Sequence, residues 1–221
     1  VVESKYSADF DGQNDFIDCG ASTDAAANGQ NELSVMFWIK TTASEGDKYV
    51  SSIKRSSISS AYSITLTSTG KIKAFIAKKM DDTGGHNSPE STTSVNDGNW
   101  YHVAVTGKAS SQKVYINGGV HESETTGEFA LNTSADSFTI GDHDGDNHAE
   151  ITLSSLAIFN TELDQNNIQA AYDGGGDFNL TFNQGNYNSS SNLTAYYKMG
   201  NGLFDDKANG IIHDQDSPGF G

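Results

Sequence analysis

Disulfides are excluded from the outset. The chain of 221 residues has a single cysteine, Cys19, so no internal bridge can form and cysteine usage says nothing of the compartment. Cys19 stands in FIDCGA, residues that read as strand, where a small buried hydrophobe is expected rather than a nucleophile. Basic residues are also scarce: 13 Lys and Arg against 29 Asp and Glu leave a net charge of −16. A nucleic-acid binder needs cationic side chains to displace counterions from phosphates, so no nucleic-acid partner is expected. The same deficit argues against an anionic membrane surface. No apolar run approaches the roughly 20 residues that span a bilayer, so no membrane insertion is expected. The chain begins at Val1 rather than Met and opens on no signal peptide; it reads as a processed product or a piece of a longer chain. Proline occurs only twice, and no Pro-rich or Gly/Ser-rich run separates two periodic regions. One domain over residues 1–221 is expected, since the length suits one sizeable core and is short for two.

What is abundant is glycine, with 23 residues, and with it serine, threonine, asparagine and aspartate. Short apolar runs alternate with these turn formers, which predicts an all-β domain. SVMFWIK (34–40) is apolar on both faces, as a central strand between two layers would be. AYSITLTSTGKIKAFIA (61–77) reads as a hairpin: Tyr62, Ile64 and Leu66 alternate with polar residues, Ser68 to Gly70 turn the chain, and Ile72, Ala74 and Ile76 alternate back. Further strands are expected in 99–108, 112–123, 137–142, 149–160 and 192–200, with an irregularity near Ser154-Ser155. Asn117-Gly118 is a type I′ hairpin signal, because both positions tolerate positive φ. One helix is expected over 163–175. Ile168, Ala171 and Tyr172 share a face, Asp164 can cap its start and Gly174 can end it. It is too short to be stable alone, so packing on a sandwich edge is expected.

The order of these motifs resembles that of laminin-G-like, concanavalin A-like lectin/glucanase jelly-roll domains. YSADFDGQNDFIDCG (6–20) looks like their first strand and ELSVMFWIKTT (32–42) like their next core strand. VNDGNWYHVAVT (95–106) followed by KVYINGG (113–119) is the most specific block. FTIGDHDGD and ITLSSLAIFNTELDQNNIQAAYDGG (138–175) match the ending of strand, loop, strand and short helix. NLTAYYKMGNGLFDDKANG (192–210) resembles an extension found beside such domains in bacteriophage surface and tail proteins. The resemblance implies an all-β, two-sheet antiparallel jelly-roll sandwich with one short helix near 164–173. The family-like core would cover 6–175, with a C-terminal strand and loop extension over 176–221. It also implies binding of carbohydrate or protein, often with calcium. Some relatives with this fold cleave glycans, so the fold alone does not settle function.

The residues that could carry chemistry are mostly acidic. In GDHDGDNHAE (141–150), Asp142, Asp144 and Asp146 stand at every second position, and Gly145 allows a sharp bend. Calcium takes six to eight oxygens and such a run supplies them. The twelfth position of an EF-hand would be Leu153 rather than Glu, so this is not an EF-hand. The resemblance supports the same site, since pentraxins carry calcium-binding acids in the matching loop. His143 and His148 are read as polar surface rather than zinc ligands. In DFDGQND, the aspartates Asp9, Asp11 and Asp15 are expected to bond turn amides around Gly12. Asp81, Asp82, His86 and Asn87, in a long polar loop, and Tyr187, as a stacking ring, are the expected ligand contacts. Trp38 and Trp100 read as packing, and His102 as a buried, hydrogen-bonded residue.

No catalytic residues are expected. The paired carboxylates of a glycoside hydrolase strand, the arginine-rich strand of a lyase and the Gly-x-Ser-x-Gly of a nucleophile elbow are all missing. The reading is therefore a non-catalytic, calcium-assisted, lectin-like module. It would recognise a surface polysaccharide outside a cell or on a virion surface. The loops of Asp142–Asp146 and Asp81–Asn87 would form its ligand edge. The alternatives are a structural or decoration protein that binds other virion or surface subunits, and a glycan-cleaving enzyme with two carboxylates in a cleft.

Overall fold

The computed structural model describes residues 6–20, 32–55, 58–76, 88–108, 111–126, 137–142, 147–200 and 212. Two antiparallel sheets stack face to face. The first holds β1 (Ala8–Asp11), β12 (Glu150–Phe159), β3 (Glu32–Lys40), β8 (Tyr101–Lys108), β9 (Ser111–Ile116) and β10 (Ser123–Thr126), in that order. A seventh strand, β13 (Leu193–Tyr197), also pairs with β12. The second sheet runs β2 (Ile17–Gly20), β11 (Ser137–Ile140), β4 (Lys48–Arg55), β5 (Ile58–Leu66), β6 (Lys71–Ile76), β7 (Glu90–Ser94). This is the expected two-sheet sandwich, with one short helix, α1 (Gln165–Gly174).

Strand β3 explains the layering. Val35, Phe37 and Ile39 face the second sheet, where they meet Val50, Tyr62, Ile64, Phe138 and Ile140. Met36, on the opposite face of β3, packs with Ala104, Tyr115, Phe159, Ile168, Ala171 and Tyr187. The first sheet is thus buried on both sides along part of its length, which is why the strand is apolar at every position. Helix α1 covers this outer face rather than an edge of the sandwich, which corrects the expected docking site. Its start is capped as expected: the Asp164 carboxylate accepts from the Asn167 N–H at 2.9 Å. Gly175 ends it at φ 74°, one residue beyond the expected stop. The Asn117-Gly118 turn has φ of 54° and 72°, as a type I′ turn requires.

The irregularity at Ser154-Ser155 is a β-bulge. Ser154 lies opposite Trp38 and Ala157 opposite Met36, so β12 carries one extra residue there. Ser155 takes φ 54°, and its hydroxyl donates to the Gly176 carbonyl at 2.6 Å. The extra residue resets the alternation. Ile151 and Leu153 before it, and Leu156 and Ile158 after it, all point into the same core. The bulge also divides the edge of β12: β1 pairs with its first half and β13 with its second.

The segment expected as one first strand, 6–20, is two short strands in different sheets. Gly12, at φ 75°, turns the chain between them. The aspartates bond turn amides as expected: Asp11 Oδ1 accepts from Gln13 N at 2.8 Å and Asp15 Oδ2 from Asp11 N at 3.0 Å.

Candidate functional site

Strands β1, β3 and β11 finish at one end of the sandwich, where β4, β8 and β12 begin. The outer face of the first sheet is not covered by α1 there, and it becomes polar. On β1, Asp9 and Asp11 point outward while Phe10 is buried; on β12, Glu150 and Thr152 point outward while Ile151 and Leu153 are buried. With Asp15, Lys40, Thr42 and Gly98 these residues line an open cleft of about 420 Å³. Thr152 donates its hydroxyl to Asp9 Oδ1 at 2.8 Å. Asp11 stands directly opposite Glu150 in the β1–β12 register. Like charges in that arrangement repel, so the fold keeps two mutually unfavourable carboxylates side by side at a solvent-exposed site.

The same two carboxylates also line a smaller cavity of about 130 Å³, with Gln13, Glu45, Lys48 and His148. The Gly12 turn is pressed against its wall: a Cβ there would lie 3.0 Å from Glu150 Cβ. His148 is fixed from two sides. The chain at Asn147 accepts from Tyr49 N at 3.2 Å, and Ala149 N donates to the Gly141 carbonyl at 3.1 Å. The His148 ring lies 6.4 Å from that of Phe16, centroid to centroid, and its Nδ1 is 3.7 Å from Asp142 Oδ1. Asp142 is buried, and its carbonyl accepts from both Thr139 Oγ1 at 2.8 Å and Ser52 Oγ at 3.1 Å.

Farther along the outer face, Trp38 stacks on Tyr172 of α1 with ring centroids 5.8 Å apart, and His102 packs beside it at 5.3 Å. Trp38 is packing, as expected. His102 is buried, as expected, but its Nδ1 has no hydrogen-bond partner among the described residues. Burial pushes its pKa down to about 3, so the ring is neutral at ordinary pH and serves as an aromatic plate.

Of the expected calcium ligands, Asp142 lies at this end of the sandwich; Asp144 and Asp146 are outside the described residues. Among the described residues no group of three or more His, Cys, Asp or Glu side chains is placed to hold a metal ion. Asp81, Asp82, His86 and Asn87 also lie outside the described residues. Strand β6 begins at the Asp142 end and runs away from it: Leu66 pairs with Ile72 and Lys48, whereas Ile76 pairs with Tyr62. The chain therefore leaves toward that segment from the opposite end of the sandwich. Tyr187 corrects the expectation outright. Its ring is fully buried against Phe159 and Phe178, and its hydroxyl donates to the Leu180 carbonyl at 2.8 Å. It offers no face to a ligand. Lys40 and the ring of Phe16 were missed, and Asp9, Asp11 and Glu150 were not read as lining one cleft, although the alternation in ADFD already placed Asp9 and Asp11 on one face.

Two antiparallel sheets forming a sandwich, with one short helix, fit a jelly roll in architecture. The model of the concanavalin A-like lectin/glucanases superfamily matches residues 11–169, and the chain belongs to that family. No curated protein matches it. Among solved structures, a candidate carbohydrate-binding protein of Bacteroides ovatus aligns over 98% of this chain and 57% of its own, at 13% identity and a TM-score of 0.64. The binding domain of botulinum neurotoxin DC, solved in complex with SialylT, aligns over 68% of this chain and 37% of its own, at 16% identity and a TM-score of 0.51. Trypanosoma rangeli sialidase, in complex with 2,3-difluorosialic acid as a covalent intermediate, aligns over 76% and 27%, at 12% identity and a TM-score of 0.57. In each case this chain spans less than two thirds of the similar protein's length.

Proposed function

We propose that this domain is a non-catalytic, lectin-like module that holds a surface polysaccharide at the strand-end cleft. The observation that carries the reading is the cleft itself: about 420 Å³ of open space on the part of the sheet face that α1 leaves uncovered, lined by carboxylates, threonines and one lysine. Such groups bond sugar hydroxyls in both directions, and an open groove lets a chain run through. The carbohydrate-linked names of several similar structures support the reading. Calcium is included on the sequence pattern: Asp142, with Asp144 and Asp146, would hold it, and the bound ion would offer coordination sites to sugar hydroxyls. The same reading has the domain working outside a cell or on a virion surface. The test is a glycan array run with calcium and again with EDTA. Binding in calcium that is lost in EDTA fits the full proposal; binding that survives EDTA removes calcium from it; no binding in either condition refutes it.

One observation favours a second reading, glycan cleavage. Residues directly opposite across antiparallel strands have Cβ atoms about 4.5–5.5 Å apart, so Asp11 and Glu150 can approach the spacing of a hydrolase pair. Reducing-sugar release on incubation with a bound glycan, abolished by Glu150→Gln, would establish it.

A further inference from the structure

We propose that Phe16 is a stacking platform for an uncharged pyranose unit of the bound glycan; the proposal rests on the carbohydrate-binding reading above. Phe16 is 49% exposed, so about half of the burial open to a large ring is forgone. The backbone on both sides of it is nevertheless held. The turn before it is fixed by the bonds from Gln13 N to Asp11 Oδ1 and from Asp11 N to Asp15 Oδ2. The residue after it, Ile17, is in register with Ile140 of β11. A rigid ring loses little freedom when it meets a ligand.

Its neighbours decide what it would meet. The ring packs at 6.4 Å, tilted by 39°, on His148, and His148 lines the small cavity with Asp11, Gln13, Glu45, Lys48 and Glu150. An apolar face thus stands next to a dense set of hydrogen-bonding groups. A pyranose has that same division, with CH groups on one face and hydroxyls around its edge. The charge of the surroundings selects further. The two cavities are lined by five carboxylates, from Asp9, Asp11, Asp15, Glu45 and Glu150, against two ammonium groups, from Lys40 and Lys48. A uronate or sialate would be repelled, so a neutral hexose is the fitting occupant. Phe16 itself lines neither cavity and reaches the smaller one through His148; Phe182 is exposed to the same degree, at 50%, but stacks on no cavity residue among the described residues, and it serves as the control ring.

The experiment measures the wild-type protein, Phe16→Ala, Phe16→Trp and Phe182→Ala on an array of neutral and acidic glycans, with circular dichroism to verify folding. The best-bound glycan is then titrated by calorimetry. The expected result is a neutral glycan as the best ligand, at least a tenfold rise in Kd for Phe16→Ala, retention within threefold for Phe16→Trp, and no change for Phe182→Ala. A folded Phe16→Ala within twofold of the wild type would overturn the platform while leaving the carbohydrate-binding reading intact. So would binding confined to acidic glycans, or an equal loss in Phe182→Ala. A wild-type protein that binds no glycan would overturn both.

Discussion

Relieving the Asp11–Glu150 repulsion should stabilise the fold and weaken the function together. The two residues are direct cross-strand partners and both are exposed. With Cβ atoms about 5 Å apart, their carboxylates sit about 6 Å from one another. Coulomb's law in water then gives a repulsion of about 0.7 kcal/mol. At physiological salt, a Debye length of about 8 Å reduces this to about 0.3 kcal/mol; at 10 mM salt most of it remains. Glu150→Gln keeps shape and hydrogen bonding but removes one charge. Urea denaturation at pH 7 should show it more stable than the wild type by about 0.6 kcal/mol at low salt, equivalent to a Tm about 2 °C higher, with the gain shrinking as salt rises. In an Asp11→Asn background the same substitution should gain nothing, because the partner charge is already gone. Glycan binding should weaken in both single variants. A Glu150→Gln protein less stable than the wild type, or a gain unchanged between 10 mM and 1 M salt, would refute the reasoning and show that Glu150 is a structural acceptor.

The other predictions concern the scaffold. Glu122 ties the chain beyond β9 to β7 of the other sheet: its carboxylate accepts from Thr93 N at 2.7 Å, Thr93 Oγ1 at 2.6 Å and Thr92 Oγ1 at 3.0 Å. Burial pushes its pKa up, but the bonds from Thr93 and Thr92 outweigh it and leave the net shift downward. A lowered folded-state pKa contributes stability above the unfolded carboxylate value, near 4.3, that is lost as pH falls through the folded value. Glu122→Gln should therefore be less stable than the wild type at pH 7, and the gap should close below about pH 4, as read by urea titrations across pH. Asp164→Ala removes the cap of α1 and should lose about 1 kcal/mol, measured the same way. Phe37 is fully buried between the sheets, so Phe37→Ala should lose about 3–5 kcal/mol, visible as a large drop in urea midpoint.

The parts of the fold that sequence displayed were those where one physical rule acted alone. The two-faced apolar run of β3, the Asn117-Gly118 turn and the Asp164 cap each needed no knowledge of distant residues. Strand β4 was not visible because its inner surface is partly serine: Ser51 is fully buried, but its hydroxyl bonds that of Tyr62 at 2.8 Å. A buried polar pair across two strands looks like a loop when only one strand is read. Tyr187 failed for the converse reason. NQGNYNSSSN is polar throughout, and only the tertiary fold shows that its one ring fills the space behind α1. The candidate site was half legible. Asp9 and Asp11 could be placed on a common face, but their meeting with Glu150, some 140 residues away, depends on the β1–β12 register. Phe16 carried no local signal at all.

The bulge in β12 also sets where two distant parts of the chain meet. Strands β13 and β1 lie in line along one edge of β12, both antiparallel to it, so the outgoing end of β13 meets the incoming end of β1. Tyr197 is opposite Leu156, Ala8 is opposite Leu153, and the Tyr6 carbonyl accepts from Ser154 Oγ at 3.1 Å between them. The two strands thus form one interrupted edge along β12, and its seam lies where the bulge stands.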